Sequence, residues 1–390
     1  MTNMACIDLF CGVGGLTSGL KRSGLNVVAG VDIDRSCRHP FEANNGAKFL
    51  LEDISKLKPE TLNEHFSSAS IRVLVGCAPC QPFSTYSQRY ETVGTERWGL
   101  MYHFARLVES IRPEIVAMEN VPTVVKHEVY KDFVGALKEY GYYVWSDVVD
   151  CKQYGLPQNR KRAVLLASQD RPLQIMPPTK KGKMSVREAI GAMPELAHGE
   201  VSNQDRLHKS AKLSDLNLKR IKASRPGGTW RDWPKELVAE CHQKHTGRTY
   251  SGVYARMLWD QPSPTLTTQF FGFGNGRFGH PDQDRAITLR EGAILQGFPR
   301  EYSFLAEDDK VHFKTLGRLI GNAVPVTLGE IIGESIQKHI NIKDMKVLKS
   351  KICTPLYKRP PSSNDLNESN EDARDPDSLP TIRGKEKKWA

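Results

Sequence analysis

No run of apolar residues in this 390-residue chain approaches the roughly 20 needed to cross a bilayer, which argues against a membrane span. Met1 to Asp8 lacks the basic region, apolar stretch and small-residue cleavage site of a secretory signal, so a cytoplasmic protein is expected. Cysteine is sparse: Cys6, Cys11, Cys37, Cys77, Cys80, Cys151, Cys241 and Cys353 are too scattered for a disulfide scaffold. Only Cys77 and Cys80 stand close together, whereas a structural zinc site normally needs two close ligand pairs, so no metal is expected. No internal repeat is present. What remains is an ordinary globular composition, 39% apolar and 26% charged, in a chain long enough for one large domain and a smaller one. The net charge of +10 is unevenly placed, with 16 Lys and Arg against 9 Asp and Glu between Thr179 and Asp260. A localised positive field suits DNA or RNA, and on charge alone a solvated basic surface fits equally well.

The first 170 residues alternate strand-like and helical patterns. Met4–Phe10, Asn26–Val31, Ile71–Cys77, Glu114–Met118 and Arg162–Ala167 are apolar or β-branched runs of strand length. Between them Leu100, Phe104, Leu107 and Ile111 recur at helical spacing, as do Val129, Phe133, Leu137 and Tyr140. That alternation predicts an α/β fold with a mostly parallel, doubly wound sheet and ligands at the carboxyl ends of its strands. After about Pro172 periodicity weakens, and a second, irregular domain is expected. A helix is predicted at Leu289–Leu295, then a strand-like entry at Leu319–Val326 leading to an apolar helix through Ile340. The expected division is 1–172 plus 310–345, 173–309, and a disordered tail over 350–390 rich in Pro, Ser, Asn and charge.

Ala5–Leu9 runs straight into Phe10-Cys-Gly-Val-Gly-Gly15, and Leu16–Leu20 resembles a helix start. Glycines at a strand-to-helix turn let a ligand approach the backbone. A dinucleotide fingerprint would place a third glycine at position 17, where Thr17 stands. Asp32 ends the next strand, where a carboxylate can accept hydrogen bonds from ribose hydroxyls. A nucleoside cofactor without a pyrophosphate therefore fits better than NAD, with a plain glycine turn as the alternative. After Ile71–Val75 comes Gly76-Cys-Ala-Pro-Cys80-Gln-Pro-Phe-Ser84. A thiolate at a strand end is the strongest side-chain nucleophile near neutral pH. On this segment alone a redox pair of Cys77 and Cys80, half a metal site or two buried cysteines remain open.

The same segment resembles the Pro-Cys-Gln motif of the DNA cytosine carbon-5 methyltransferases of bacterial type, and other matches follow in the family's order. Phe10–Gly15 resembles the family's cofactor motif; Asp32-Ile33 and Asp53-Ile54 resemble the cofactor contacts after it. Glu119-Asn-Val121 matches Glu-Asn-Val, and Gln158-Asn-Arg160-Lys-Arg162 matches Gln-x-Arg-x-Arg. Arg290–Pro299 resembles the motif ending in Gln-x-Phe-Pro, and Gly321-Asn322-Ala323-Val324 the last motif. The resemblance covers roughly residues 4 to 340.

It implies a Rossmann-like methyltransferase domain of the S-adenosylmethionine-dependent type with a smaller DNA-recognition domain. The cofactor would be S-adenosyl-L-methionine, leaving as S-adenosyl-L-homocysteine, at Phe10, Gly12, Val13, Gly15, Asp32, Ile33, Asp53, Ile54, Leu100, Asn322 and Val324. Cys80 would attack carbon 6 of a cytosine swung out of duplex DNA, making carbon 5 nucleophilic. Glu119 would serve ring nitrogen 3, its burial favouring the protonated form. Arg162, and secondarily Arg160, would hold the exocyclic oxygen. The loop Gln81–Trp98 would close over the site. The stretch Pro172–Gln261 would read the target, with Arg225, Arg231, Arg248 and Arg256 as contacts to guanine edges or phosphates, and Trp230, Trp233 and Trp259 as core. A monomer is implied, working in the nucleoid beside a separate cognate restriction endonuclease or alone. Three other readings compete: a tRNA methyltransferase of the same fold, whose usual Cys-Phe-Thr signature is absent; a silent DNA-binding homologue; and a thiol-disulfide oxidoreductase.

Overall fold

The structure is a computed structural model that describes residues 3–79, 95–178 and 183–352, with backbone alone at 95–98, 246 and 342–352. Cys80, most of the expected closing loop Gln81–Trp98, and the tail from 353 onward lie outside the described residues.

Seven strands among the described residues form one sheet: β1 (Met4–Leu9), β2 (Val27–Asp32), β3 (Lys48–Leu51), β4 (Ile71–Gly76), β5 (Ile115–Asn120), β6 (Tyr143–Asp150) and β7 (Lys161–Ser168). Their order is β3-β2-β1-β4-β5-β7-β6. The pairings from β3 to β5 are parallel, and β7 runs antiparallel to β5 and β6. This is the mostly parallel α/β sheet that the sequence pattern predicts. The order reverses between β1 and β4, so the crevice outside their carboxyl ends is the natural ligand site of such a sheet. The loops leaving those strands are the glycine loop and the segment leading to Cys80.

Period-two alternation explains why both faces are buried. Ile7, Leu9, Leu74, Val116, Met118 and Leu165 join one apolar cluster with α3 (Pro59–Phe66), α4 (Thr95–Ile111) and α5 (Glu128–Glu139). Cys6, Val73, Val75, Ile115, Ala117, Val164 and Leu166 join another. That second face is covered by α1 (Gly15–Arg22) and by Leu328, Ile332, Ile336 and Ile340 of the last helix.

Between α1 and α3 lies α2 (Arg38–Asn45); α6 (Val186–Ile190), α7 (Asp215–Lys222), α8 (Glu240–Gln243) and α9 (Leu289–Leu295) stand in a largely irregular middle region. The predicted helix at Leu289–Leu295 is found with those bounds. Its N-terminus carries a capping box, Thr288 accepting from the Glu291 amide and Glu291 accepting from the Thr288 amide. Trp230 and Trp233 are buried in a small cluster of this region, and Trp259 packs half-buried on a larger one. The larger cluster joins Cys11, Phe41 and Phe49 with Val186, Ile190, Phe270 and Leu289, across residue 172. Residues Met1–Met345 form one compact unit.

One expectation needs correction. Leu319–Val326 is not strand-like: α10 (Phe313–Asn322) buries Leu316, Leu319 and Ile320 at helical spacing, and α11 (Val326–Ile352) follows directly. The helical backbone of α11 ends at Ile352, and the rest of the expected tail lies outside the described residues. Strands β3 and β6 escape the sequence pattern because both are sheet edges; β6 alternates poorly and leaves Tyr143 and Val148 exposed.

Beneath the glycine loop, Asp8 is fully buried on β1. Its Oδ2 accepts from the Thr17 hydroxyl at 2.6 Å, while Oδ1 has no hydrogen-bond partner. Burial lifts its carboxyl from 3.8 to about 7, so the ionised form opposes folding. The stability this group contributes is full below the lower value, fades as pH rises through that window, and is gone above the upper one. Asp8→Asn stays neutral throughout, so its melting temperature should gain on that of the parent protein between about pH 4 and 7. A difference independent of pH would show that Asp8 does not titrate there.

Candidate active site

Two groups of side chains meet the carboxyl edge of the sheet. The first is built on β1 and β2. Phe10 leaves β1 with φ +58°, an uncommon conformation for a side-chain-bearing residue, and turns the chain into the glycines. Gly12 has φ +51°, and a Cβ added there would meet nothing within 4 Å, so open space lies above the loop. Asp32 fixes this loop: Oδ2 accepts from the Gly12 amide at 2.9 Å, and Oδ1 from the Asp34 amide at 2.8 Å. Burial raises the Asp32 carboxyl above its ordinary range, opposed by those amide bonds. Beside it Ile33 is 69% exposed, an apolar side chain presented to solvent at the strand end. Asp53 accepts from the Ser55 amide at 2.9 Å, and the Ser55 side chain, then that amide, hold its carboxyl low.

Gly15 is required for a different reason. A Cβ there would lie 2.2 Å from the Val324 carbonyl oxygen, so the start of α1 packs directly on the closing segment. Val324 is itself buried, Val13 is buried with its carbonyl accepting from the Tyr302 hydroxyl at 2.6 Å, and Asn322 is exposed at the end of α10. Val324 thus meets the glycine loop through its backbone carbonyl. Leu100 is half-buried on α4. Ile54 departs from the expectation: its side chain belongs to the core cluster of Leu57 and Leu62.

The second group is built on β4, β5 and β7. Glu119 lies on β5, 2% exposed. The Cys77 thiol, just beyond β4, donates to its Oε2 at 2.7 Å. Arg162 Nε approaches Oε1 at 2.7 Å as an ion pair, off the direction of a hydrogen bond, and Oε1 makes no hydrogen bond within the protein. The pair joins residues 43 positions apart, so the local sequence around Glu119 does not name this cation. Asn120, next in the chain, donates to the Ala78 carbonyl at 3.0 Å. Its role was legible only as the middle letter of Glu-Asn-Val.

Arg160 needs correction. Its side chain is buried, and its terminal nitrogens donate to the carbonyls of Leu266, Gly321 and Ala323 at 3.3–3.4 Å. Burial, then the neighbouring Arg162, pulls its guanidinium down to about 9. It braces the closing segment and does not share the position of Arg162. Gln158 works in the same buried network, donating to Leu295 O and Gln296 Oε1 and accepting from the Leu266 amide.

Of the basic residues expected at DNA, Arg256 also needs correction: it is buried and donates to the carbonyls of Ser224, Ile221 and His280. Arg225 is exposed and pairs with Asp232 at 3.3 Å, and Arg231 donates to the Arg248 carbonyl. Among the described residues no group of three or more His, Cys, Asp or Glu side chains is placed to hold a metal ion, and no helix is long and apolar enough to cross a membrane.

A model of the family C-5 cytosine-specific DNA methylase matches residues 4–338. Type II methylase M.HgiDII of Herpetosiphon aurantiacus is 48% identical over 341 residues, which is 86% of this chain and 96% of that protein. Type II methyltransferase M.Sau96I of Staphylococcus aureus is 29% identical over 339 residues, 86% of this chain and 76% of its own. Among solved structures, a prophage-encoded E. coli protein assigned to the DNA modification methyltransferases superposes with a TM-score of 0.67. It is 23% identical, over 87% of this chain and 99% of that one. The Entamoeba histolytica methyltransferase EhMeth gives a TM-score of 0.62 at 16% identity over 87% and 99%. These two likenesses speak for the fold, and the family match speaks for the chemistry. The chain belongs to the C-5 cytosine-specific DNA methylase family and is a DNA (cytosine-5-)-methyltransferase.

Proposed function

We propose that this enzyme places a methyl group on carbon 5 of cytosine within a specific duplex DNA sequence, with Cys80 adding to carbon 6 of a base turned out of the stack. The observation that carries the reading is Glu119 Oε1, buried, without a hydrogen bond inside the protein, and flanked by Arg162. A buried oxygen in that state asks for a donor from outside, and the protonated nitrogen 3 or the amino group of cytosine supplies one. Arg162 is close enough to the same point to offset charge gathering on the exocyclic oxygen. Arg160 serves by bracing the segment that carries Asn322 and Val324.

The open space above Gly12, the exposed Ile33 and the carboxylate of Asp32 fit a nucleoside cofactor, here S-adenosyl-L-methionine. When bound it supplies an electrophilic methyl group. Asp32 would orient its ribose, Ile33 and the Phe10–Gly15 loop would flank the nucleoside, and Asp53, Leu100 and Asn322 would complete the pocket. Asp32→Ala should weaken cofactor binding by about 1–3 kcal/mol, the cost of an unsatisfied buried partner. Calorimetric titration reads this directly, and an unchanged dissociation constant removes Asp32 from the pocket.

Residues 173–309 would form the recognition region over a catalytic body of 1–172 and 310–345, with the exposed Arg225, Arg231 and Arg248 as its candidate DNA contacts. The enzyme would act as a monomer in the bacterial cytoplasm, at the nucleoid, beside a separate cognate nuclease or alone. Methylome sequencing of a host expressing the protein tests the proposal. The expected result is 5-methylcytosine confined to one short sequence; methylated tRNA with unmodified DNA would contradict it.

A further inference from the structure

We infer that Cys77 is a positioning residue for Glu119, an inference that rests on the reading of Glu119 as the group facing ring nitrogen 3. The registers of β4 and β5 place them side by side: Gly76 pairs with Met118, so the next residues, Cys77 and Glu119, leave the pairing together. The thiol then reaches Oε2 at 2.7 Å. A reciprocal bond closes the pair of loops, Asn120 Nδ2 donating to the carbonyl of Ala78. Cys77–Ala78 and the end of β5 therefore hold one another, one bond in each direction.

The consequence lies in the torsion of the carboxylate. The terminal torsion of a glutamate is broad, and a carboxylate held at one oxygen alone swings through it. Cys77 occupies Oε2, which leaves Oε1 as the oxygen with no hydrogen bond, on the side where Arg162 stands. A thiol is a weak donor, yet here the acceptor is a buried carboxylate, where even a modest bond selects one orientation. The effect belongs in the rate of the chemical step and not in the binding of either substrate, because Cys77 touches Glu119 and serves the reaction through it.

The test uses the full-length enzyme with S-adenosylmethionine and a duplex carrying its site, in excess phosphine reductant so that no Cys77–Cys80 disulfide contributes. Cys77→Ala is expected to lower kcat roughly tenfold while both KM values stay within about twofold. Cys77→Ser, which keeps a donor, should recover most of that loss. In a Glu119→Gln background Cys77→Ala should cost little further, because its effect is exerted through the carboxylate. A Cys77→Ala enzyme with the parent kcat beside an impaired Glu119→Gln enzyme overturns the inference alone. A full tenfold loss persisting in the Glu119→Gln background also overturns it, by showing that the thiol acts elsewhere. A Glu119→Gln enzyme with the parent rate overturns the reading of Glu119, and Cys77 falls with it.

Discussion

Cys80→Ala is expected to abolish methyl transfer while binding of DNA and cofactor stays within a few fold. Carbon 5 of cytosine is a poor nucleophile as long as the ring is aromatic. Addition of a thiolate at carbon 6 breaks the aromaticity and turns carbon 5 into an enamine-like carbon, so the substitution removes the step that makes the reaction possible. The contrast with Cys77 is the informative part of the experiment. Cys77 donates its thiol to Glu119, so it is committed to holding another group and Cys77→Ala should be far milder. Equal damage from the two substitutions would point back to a redox pair or a metal site. Methyl incorporation into a duplex containing the site, with filter binding of DNA in parallel, gives both readings.

Glu119→Gln is expected to slow methylation by about 10²–10⁴-fold, the range over which a positioned acid or base acts. The amide fills the same volume but presents no carboxylate to the protonated nitrogen 3 as electrons move toward it. It also removes the ion-pair partner of Arg162, whose guanidinium stands 2.7 Å from Oε1. Because Glu119 is 2% exposed, a melting curve belongs with the kinetics to separate lost chemistry from lost structure. A fall in kcat with a preserved melting temperature supports the role; unchanged kcat removes Glu119 from the chemistry.

What the sequence shows about this molecule depends on how local the signal is. The glycine loop and the turn before Cys80 are short segments that follow apolar strands, so pattern alone puts them at the carboxyl edge of a parallel sheet. The edge strands β3 and β6 carry only three-residue apolar runs, Phe49–Leu51 and Tyr143–Trp145, too short to mark a strand by themselves. The stretch Leu319–Val326 reads as strand because its apolar and β-branched residues are dense, while the helical spacing is set by Leu316, just upstream. Arg160 and Arg256 show the harder limit. Arg160 stands beside Lys161 and Arg162, and nothing nearby in the chain says that it is buried; Arg256 sits within the apolar run Val253–Trp259, which does not show the groups that hold it. The carbonyls that hold Arg160 belong to residues more than 100 positions away, as a sequence pattern cannot show. The bond from Cys77 to Glu119 spans 42 residues and likewise becomes visible only when β4 and β5 lie side by side.

The central claim is that Cys80 adds covalently to the target cytosine and is released only when carbon 5 loses its proton. Duplex DNA with 5-fluorocytosine at the target position tests it most directly, because fluorine cannot leave as that proton does. With S-adenosylmethionine present, the account predicts a protein–DNA adduct that survives denaturing electrophoresis. The adduct should form slowly with Glu119→Gln and be absent with Cys80→Ser. An enzyme that binds and methylates the unmodified duplex yet forms no adduct with the fluorinated one would contradict the account.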